Sequence, residues 1–242
     1  MRGGLSIALL VAVFAPAASA ATPFPGLPSN GTILSEPMQV LLLLTLLTLL
    51  PAIVMSITPF LRISIVLHFL RQALGTQNTP SNQVLVGLSL FLTVVLMQPV
   101  ASDIYQRAWQ PVEKGQMTLE QGMTEGAKPL RSFMIRFARE KDVKLFLEMS
   151  HLPSPHKPED LDMKVLIPAY IVSELKAGFQ IGAVLFLPFL IIDVVVASVT
   201  LSVGMVQLPP VMVSAPFKIL LFVLVDGWNL VVGSLMKSLV TP

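Results

Sequence analysis

The sequence predicts an all-α membrane protein in which two long apolar helical hairpins flank a helical polar insert. Hydrophobic residues make up 54% of the 242-residue chain and charged residues only 12%, and the mean hydropathy of +0.77 exceeds that of soluble domains. The apolar residues concentrate in four stretches, each about long enough to cross a hydrocarbon core of ~30 Å at ~1.5 Å per residue. A soluble-like segment separates the second stretch from the third.

Charge and composition exclude several classes of function. The formal net charge of +2 is too small to attract nucleic acid, and the absence of cysteine excludes disulfides and thiolate chemistry. No P-loop, GxSxG or HExxH motif is present. His151 and His156 lie five residues apart in a proline-interrupted segment, which does not place them on one helical face. The sequence therefore predicts neither an enzyme nor a metal or cofactor site.

The N-terminus has the pattern of a cleavable signal peptide. A single arginine precedes a ten-residue apolar run, and the small-residue sequence Ala-Ser-Ala ends at Ala20. The alternative is an uncleaved first membrane helix, but the apolar run is short and Pro16 follows it. We therefore expect residues 1–20 to be removed by cleavage between Ala20 and Ala21. The next segment, residues 21–37, is rich in Pro, Gly, Ser and Asn, which predicts an exposed arm.

The four apolar stretches pair by spacing into two hairpins, residues 38–100 and 177–242, on either side of an insert at residues 101–176. The stretches themselves cover residues 38–60, 83–100, 179–206 and 217–236. The predicted connection at residues 61–82 contains arginine but no acid, which favours a loop on the cytoplasmic side.

The insert is balanced in charge, with 11 basic and 11 acidic residues. Thr118 and Gln121 have the spacing of a capping box, and four apolar residues then recur at helical spacing. These residues are Leu130, Phe133, Met134 and Phe137. The arginines between them are expected on a solvated helix face, with a partner contact as the alternative. The segment 151–162 is expected to be a loop, with Asp160 and Asp162 as loop and helix-cap residues.

Three charged residues interrupt the later apolar stretches: Asp193, Lys218 and Asp226. Charges at membrane depth are costly and usually pair inside a bundle, so they mark function or assembly. For Lys218 and Asp226, extension of the side chain toward the interface is the alternative. A hairpin turning near Val211 would separate Asp193 from Lys218 by ~16 Å in height. We therefore expect no contact between them within one chain. Asp193 is expected to face a neighbouring helix or subunit on the side used for assembly, and to be unpaired in an isolated chain.

Three long segments resemble the FliP family of flagellar biosynthetic proteins. They read PFLRISIVLHFLRQALGTQNTPSNQVLVGLSLFLT, PAYIVSELKAGFQIGAVLFLPFLIIDVVVASV and PFKILLFVLVDGWNLVVGSL, and the resemblance extends over residues 41–235. It implies a non-enzymatic subunit of the flagellar type III export gate, in the bacterial inner membrane at the basal body. The family assembles as a pentameric ring-like set with FliQ and FliR, beside FlhA and FlhB. The resemblance implies passage of unfolded flagellar proteins through a central channel, with membrane lipid as a further partner. It also implies that the assembled hairpins form a helical stack largely above the bilayer plane, and on depth it takes precedence over four membrane spans.

The segment between the third and fourth stretches is predicted to form the channel constriction. The FliP family commonly has a methionine cluster at this place, and only Met205 of it remains in this sequence. The resemblance therefore assigns the constriction to Gly204, Met205, Val206 and Leu208. A narrow apolar collar can hold back ions while its side chains yield to a passing chain. Gly204 permits an unusual backbone angle at the end of the third helix, and the two prolines at 209 and 210 prevent the helix from continuing, so we expect a loop here. The alternative is an ordinary hairpin turn.

Two other functions fit parts of the sequence. One is the homologous subunit of an injectisome. The signal peptide and the long insert favour the flagellar form over it. The other is a secondary transporter, which needs a polar site at mid-depth in the membrane. Asp193 is the single acid that suggests such a site.

Overall fold

A computed structural model describes residues 36–76, 78–153, 155, 157–205 and 209–240, and these residues form helices without strands. The α-helices are α1 (Glu36–Ile57), α2 (Phe60–Ala73), α3 (Asn82–Ile104), α4 (Gln110–Glu113), α5 (Leu119–Phe137), α6 (Glu140–Ser150), α7 (Met163–Ser202), α8 (Pro210–Leu224) and α9 (Gly227–Val240). A π-helical turn at Tyr105–Trp109 joins α3 to α4, and a 3-10 turn at Pro158–Asp160 precedes α7. The predicted signal peptide, with its cleavage site at Ala20 and Ala21, lies outside the described residues.

The chain divides into two compact units, one up to Thr48 and one from Leu49. The described part of the first unit is the beginning of α1. Its large apolar side chains are all exposed, and they are Met38, Val40, Leu41, Leu42, Leu43, Leu44, Leu46 and Leu47. A helix that is apolar on every face belongs in lipid or among other apolar helices.

The second unit is built around α2, which packs against α7. Ile63, Val66 and Leu67 of α2 are completely buried. Helix α7 contributes Gly178 and Gly182 to this contact. A Cβ at Gly182 would lie 2.6 Å from the ring of Phe69, and a Cβ at Gly178 would also be crowded. The two backbones can approach closely for this reason.

The prediction of a loop at residues 61–82 is therefore wrong for most of its length. Helix α2 begins directly after Pro59 and continues to Ala73. Its apolar residues recur at helical spacing, so that the buried side chains form one face. The arginines of this segment consequently lie on a packed helix, and they carry no information about a cytoplasmic loop.

The helices confirm an all-α membrane protein. Three of them are long and apolar enough to cross a membrane, namely the segments Val40–Ile57, Asn82–Glu113 and Met163–Ser202. The fourth predicted stretch differs from expectation, because it consists of α8 and α9 bent by 68°. Asp226 has a positive φ of 51° at this bend. Gly227 follows, where a Cβ would lie 2.2 Å from the ring of Phe222, so a side chain could not be accommodated there.

The insert forms helices that pack on α7. The capping box is present, since Thr118 Oγ1 accepts from the Gln121 amide and the Gln121 side chain accepts from the Thr118 amide. Met134 and Phe137 of α5 are buried as predicted, and Asp162 caps α7 by accepting from the amide of Lys164. Helix α7 runs across the predicted boundary between residues 176 and 177, and the division into insert and hairpins stays a prediction.

Candidate functional site

Gly204 ends the long helix α7 and begins the connection to α8. Its φ is +81°, a conformation that costs glycine little. The amide of Gly204 donates to the carbonyl of Leu201, and the amide of Met205 donates to that of Thr200. These two bonds are a Schellman motif, which satisfies the last carbonyls of the helix. The expectation of an unusual backbone angle at Gly204 is confirmed.

Met205 lies at the start of the connection with 44% of its surface exposed. Val206 and Leu208, the other two residues assigned to the constriction, lie outside the described residues. Pro209 is extended and precedes the first turn of α8, so the chain cannot continue as one helix through this point.

Lys218 and Asp193 form a buried ion pair between α8 and α7. Lys218 Nζ lies 2.6 Å from Asp193 Oδ2 and donates a second hydrogen bond, of 3.0 Å, to the carbonyl of Ala73. Ser214 donates to the other carboxylate oxygen of Asp193. The Lys218 side chain is 1% exposed and the Asp193 side chain 17%. The pair thus ties the end of α2 to the hairpin of α7 and α8.

The prediction that these two residues cannot meet within one chain is wrong, and so is the expectation that Asp193 is unpaired in an isolated chain. The error lies in the assumed turn at Val211. Helix α7 ends at Ser202 and α8 begins at Pro210, so the heights are counted from these two helix ends and not from Val211. Asp193 is nine residues before the end of α7 and Lys218 is eight residues after the start of α8. Measured from the helix ends, their heights therefore differ by only ~1.5 Å.

Asp226, the third charged residue of the apolar stretches, lies at the bend between α8 and α9. It is exposed, and its carboxylate accepts a hydrogen bond of 3.1 Å from the Asn229 side chain. Its backbone carbonyl accepts from the amide of Leu230, the first bond of α9. The structure thus brings Asp193 and Lys218 together and assigns Asp226 to a helix start.

A second buried ion pair, between Arg62 and Glu174, was missed at the level of sequence. Arg62 lies on α2 and Glu174 on α7, with side-chain exposures of 7% and 0%. Arg62 also donates to the carbonyl of Ser238 at 3.3 Å and lies over the ring of Phe137 at 5.4 Å. The helical spacing of apolar residues around Arg62 was the available signal, because it would have predicted a packed helix.

Asp142 connects α6 of the insert to α7. It is almost completely buried, accepts a hydrogen bond of 2.9 Å from Ser173 and forms an ion pair with Lys176. Burial opposes the charged form, but the bonds from Lys176 and Ser173 and the charges of Lys176 and Arg139 outweigh it and lower the pKa of Asp142. The contact therefore favours the ionised carboxylate.

Metal-binding groups are absent from the described part of the chain, where no three His, Asp or Glu side chains are placed to hold an ion. His68 is held between the carbonyl of Ser64 and the side chain of Asn82. His151 ends α6 with a positive φ of 52°, and His156 lies outside the described residues.

Comparison with known proteins identifies the family. The FliP family model matches residues 43–235. The flagellar biosynthetic protein FliP of Pectobacterium carotovorum subsp. carotovorum is 48% identical over 240 residues, covering 98% of this chain and 92% of that protein. FliP of Bacillus subtilis (strain 168) is 48% identical over 204 residues, 84% of this chain and 92% of the relative. FliP of Treponema pallidum (strain Nichols) is 49% identical over 202 residues, which cover 83% of this chain and 74% of that protein. The chain belongs to the FliP family.

Proposed function

We propose that this chain is a channel-forming subunit of the flagellar type III protein export gate, where it passes unfolded flagellar proteins across the bacterial inner membrane. The proposal rests on membership of the FliP family and on helices that can span a membrane. The name flagellar biosynthetic protein, which the relatives carry, favours the flagellar gate over an injectisome. The chain acts without catalysing a reaction.

The hairpin of α7 and α8 is the observation that carries the proposal. A gate needs a constriction that stays in place while it is pushed by a passing polypeptide. The ion pair of Asp193 with Lys218 joins the two arms of the hairpin, and the Schellman motif at Gly204 fixes where the first arm ends. The connection carrying Met205 is thereby held between two anchored helices.

The constriction consists of Gly204, Met205, Val206 and Leu208 from each subunit of a ring. Glycine permits the sharp departure from the helix, and the apolar side chains exclude water and ions at rest. Methionine adapts its shape to different passing segments because it is unbranched and flexible.

The exposed apolar surface supports self-association and assembly with other subunits. Large apolar side chains are exposed along α7 at Val184, Leu187, Ile191 and Val194, a spacing of three and four residues that suits helix packing. We assign these contacts to further copies of the chain in a pentamer and to FliQ and FliR, with FlhA and FlhB nearby. Membrane lipid covers the remainder of the surface.

The secondary transporter is less well supported. It depends on an acid available for an ion or substrate at mid-depth. Asp193 is the acid that suggested it, and both of its carboxylate oxygens are engaged by Lys218 and Ser214.

Deletion of residues 205–208 tests the constriction. In cells where the gate still assembles, we expect small ions to leak across the membrane and growth to slow. Met205→Ser should leak less than the deletion, and Met149→Ser, a change at an exposed methionine of the insert, should not leak at all. Unchanged conductance in the deletion variant, with an intact complex, would show that these residues do not close the channel.

Export through the secretory pathway is part of the proposal. Cleavage after Ala20 should give a mature protein that begins at Ala21. N-terminal sequencing of protein extracted from membranes checks this, and recovery of Met1 would contradict it.

A further inference from the structure

Helix α2 ends in a turn in which each of the last four helical carbonyls has a hydrogen-bond donor. Three of them accept from groups that follow directly in the chain, namely the amides of Leu74 and Gly75 and the hydroxyl of Thr76. The fourth, the carbonyl of Ala73, accepts at 3.0 Å from the side chain of Lys218 in α8. The end of α2 is therefore completed by a group from another helix.

Gly75 brings the backbone of this turn against the beginning of α8. Its φ is +74°, a conformation that costs glycine little. A Cβ at Gly75 would lie 3.4 Å from the side chain of Ala215 and 3.6 Å from that of Val211. These are van der Waals contact distances, so a Cβ would just touch α8 and a longer side chain would collide with it.

The residues of α8 that contact this turn lie on one face of the helix. Val211, Ala215 and Lys218 are spaced by four and three residues, which places them one above the other. Lys218 also pairs with Asp193 of α7, and Ser214 donates to the same carboxylate. The first turns of α8 are therefore held between the end of α2 and the side of α7.

We propose that Gly75 is a positioning residue for the channel constriction, because the end of α2 sets the place where α8 begins. This inference rests on the function proposed above for residues 204–208. Helix α8 begins at Pro210, directly after that segment, while the hydrogen bonds at Gly204 fix the segment's other end. An apolar constriction excludes ions only while it is narrow. A side chain at position 75 that displaces α8 therefore opens the constriction without changing any residue within it.

Gly115 provides a matched control for substitutions of Gly75. It also has a positive φ, of +68°, so a side chain there brings similar backbone strain, but no atom lies within 4 Å of a Cβ at Gly115. Gly75→Leu and Gly115→Leu therefore differ in the contact with α8. Ala215→Leu presses on the same contact from the side of α8 and leaves the backbone at Gly75 unstrained, which covers the case that Gly75→Leu prevents folding.

Distances between spin labels on the full-length chain in detergent test the position of α8. The chain has no cysteine, so Met212→Cys on α8 and Met123→Cys on α5 introduce two exposed labelling sites. We expect Gly75→Leu and Ala215→Leu to shift the distance between the labels by about 2 Å, the further reach of a leucine beyond a Cβ already in contact. Gly115→Leu should not shift it. An unchanged distance in both of the first two variants would overturn the proposal.

Ion leakage in cells that assemble the gate tests the consequence for the constriction. Gly75→Leu should leak and Gly115→Leu should not. Combining Gly75→Leu with Val211→Ala, which removes the methyl groups facing position 75, should reduce the leak.

Deletion of residues 205–208 separates this inference from the proposed function. If the deletion leaks but Gly75→Leu does not, although α8 is displaced, then the end of α2 does not position the constriction and the inference is wrong. If the deletion itself does not leak, the proposed constriction is wrong, and the distance between the labels alone decides whether the end of α2 positions α8.

Discussion

Replacing Lys218 by methionine tests whether the buried ion pair holds α8 against α7. The substitution nearly preserves side-chain length, but it removes the charge beside Asp193 and the donor to the Ala73 carbonyl. Breaking a buried ion pair by removing one partner costs about 3–5 kcal/mol. Asp193 keeps some exposure and its hydrogen bond from Ser214. We therefore expect Lys218→Met to lower the free energy of unfolding by about 3 kcal/mol, the lower end of that range.

Thermal unfolding of the purified protein in detergent, followed by tryptophan fluorescence, measures this loss. For a chain of this size, 3 kcal/mol corresponds to a decrease in Tm of about 6–12 °C. Lys144→Met is the matched control, because Lys144 forms an ion pair with Glu140 on the exposed surface of α6. Its Tm should not change measurably, since exposed pairs contribute little.

The double variant Asp193→Leu with Lys218→Met separates the pair from the packing. It leaves no buried charge unpaired, so most of the lost stability should return. The reasoning is refuted if Lys218→Met alone leaves Tm unchanged, or if the double variant is less stable than the sum of the two single changes predicts.

Three further predictions follow from contacts in the second unit. Gly182→Ala should lower stability by roughly 1–3 kcal/mol because its Cβ meets an aromatic ring of α2, whereas Gly87→Ala, with open space around it, should be neutral or stabilising in the same thermal assay. Arg62→Met should lower Tm more than Arg62→Met combined with Glu174→Leu, and the opposite order would contradict a buried pair. Because the pKa of Asp142 is lowered in the folded protein, the stability that its carboxylate contributes is present above about pH 4 and is lost as the pH falls further. Hydrogen exchange of the α6 amides should therefore accelerate in acid. Asp142→Asn should remove that acid-dependent change, and an unchanged acid response in this variant would contradict the assignment.

The extent of the buried apolar helices was only partly predictable. The stretch beginning at residue 83 matches α3 closely, because a continuous apolar run needs no neighbour to define it. Helix α2 was taken for a loop, since Arg62 and Arg71 lower its hydropathy. Burial of Arg62 is tolerated only because Glu174 lies opposite, and a partner 112 residues away leaves no local signal.

The bend between α8 and α9 shows the same limit. Local hydropathy predicts one helix through Asp226 and Gly227, and both residues occur in ordinary helices. The ring of Phe222 occupies the space next to Gly227, and Asp226 is the residue that adopts the positive φ of 51°, so the break depends on packing that local hydropathy does not report.

The sequence by itself determined the membrane class, the helical content, the capping of α5, the end of α7 at Gly204 and the family. These properties depend on composition or on residues within a few positions of one another. Only the tertiary structure decided which charges meet, because the contact of Asp193 with Lys218 depends on where two helices end and not on the number of residues between them. A shift of a few residues in the turn changes the relative height of two side chains by several ångströms, at ~1.5 Å per residue on each arm. An ion pair, whose energy depends steeply on distance in a buried site, is therefore the feature that sequence spacing fixes least.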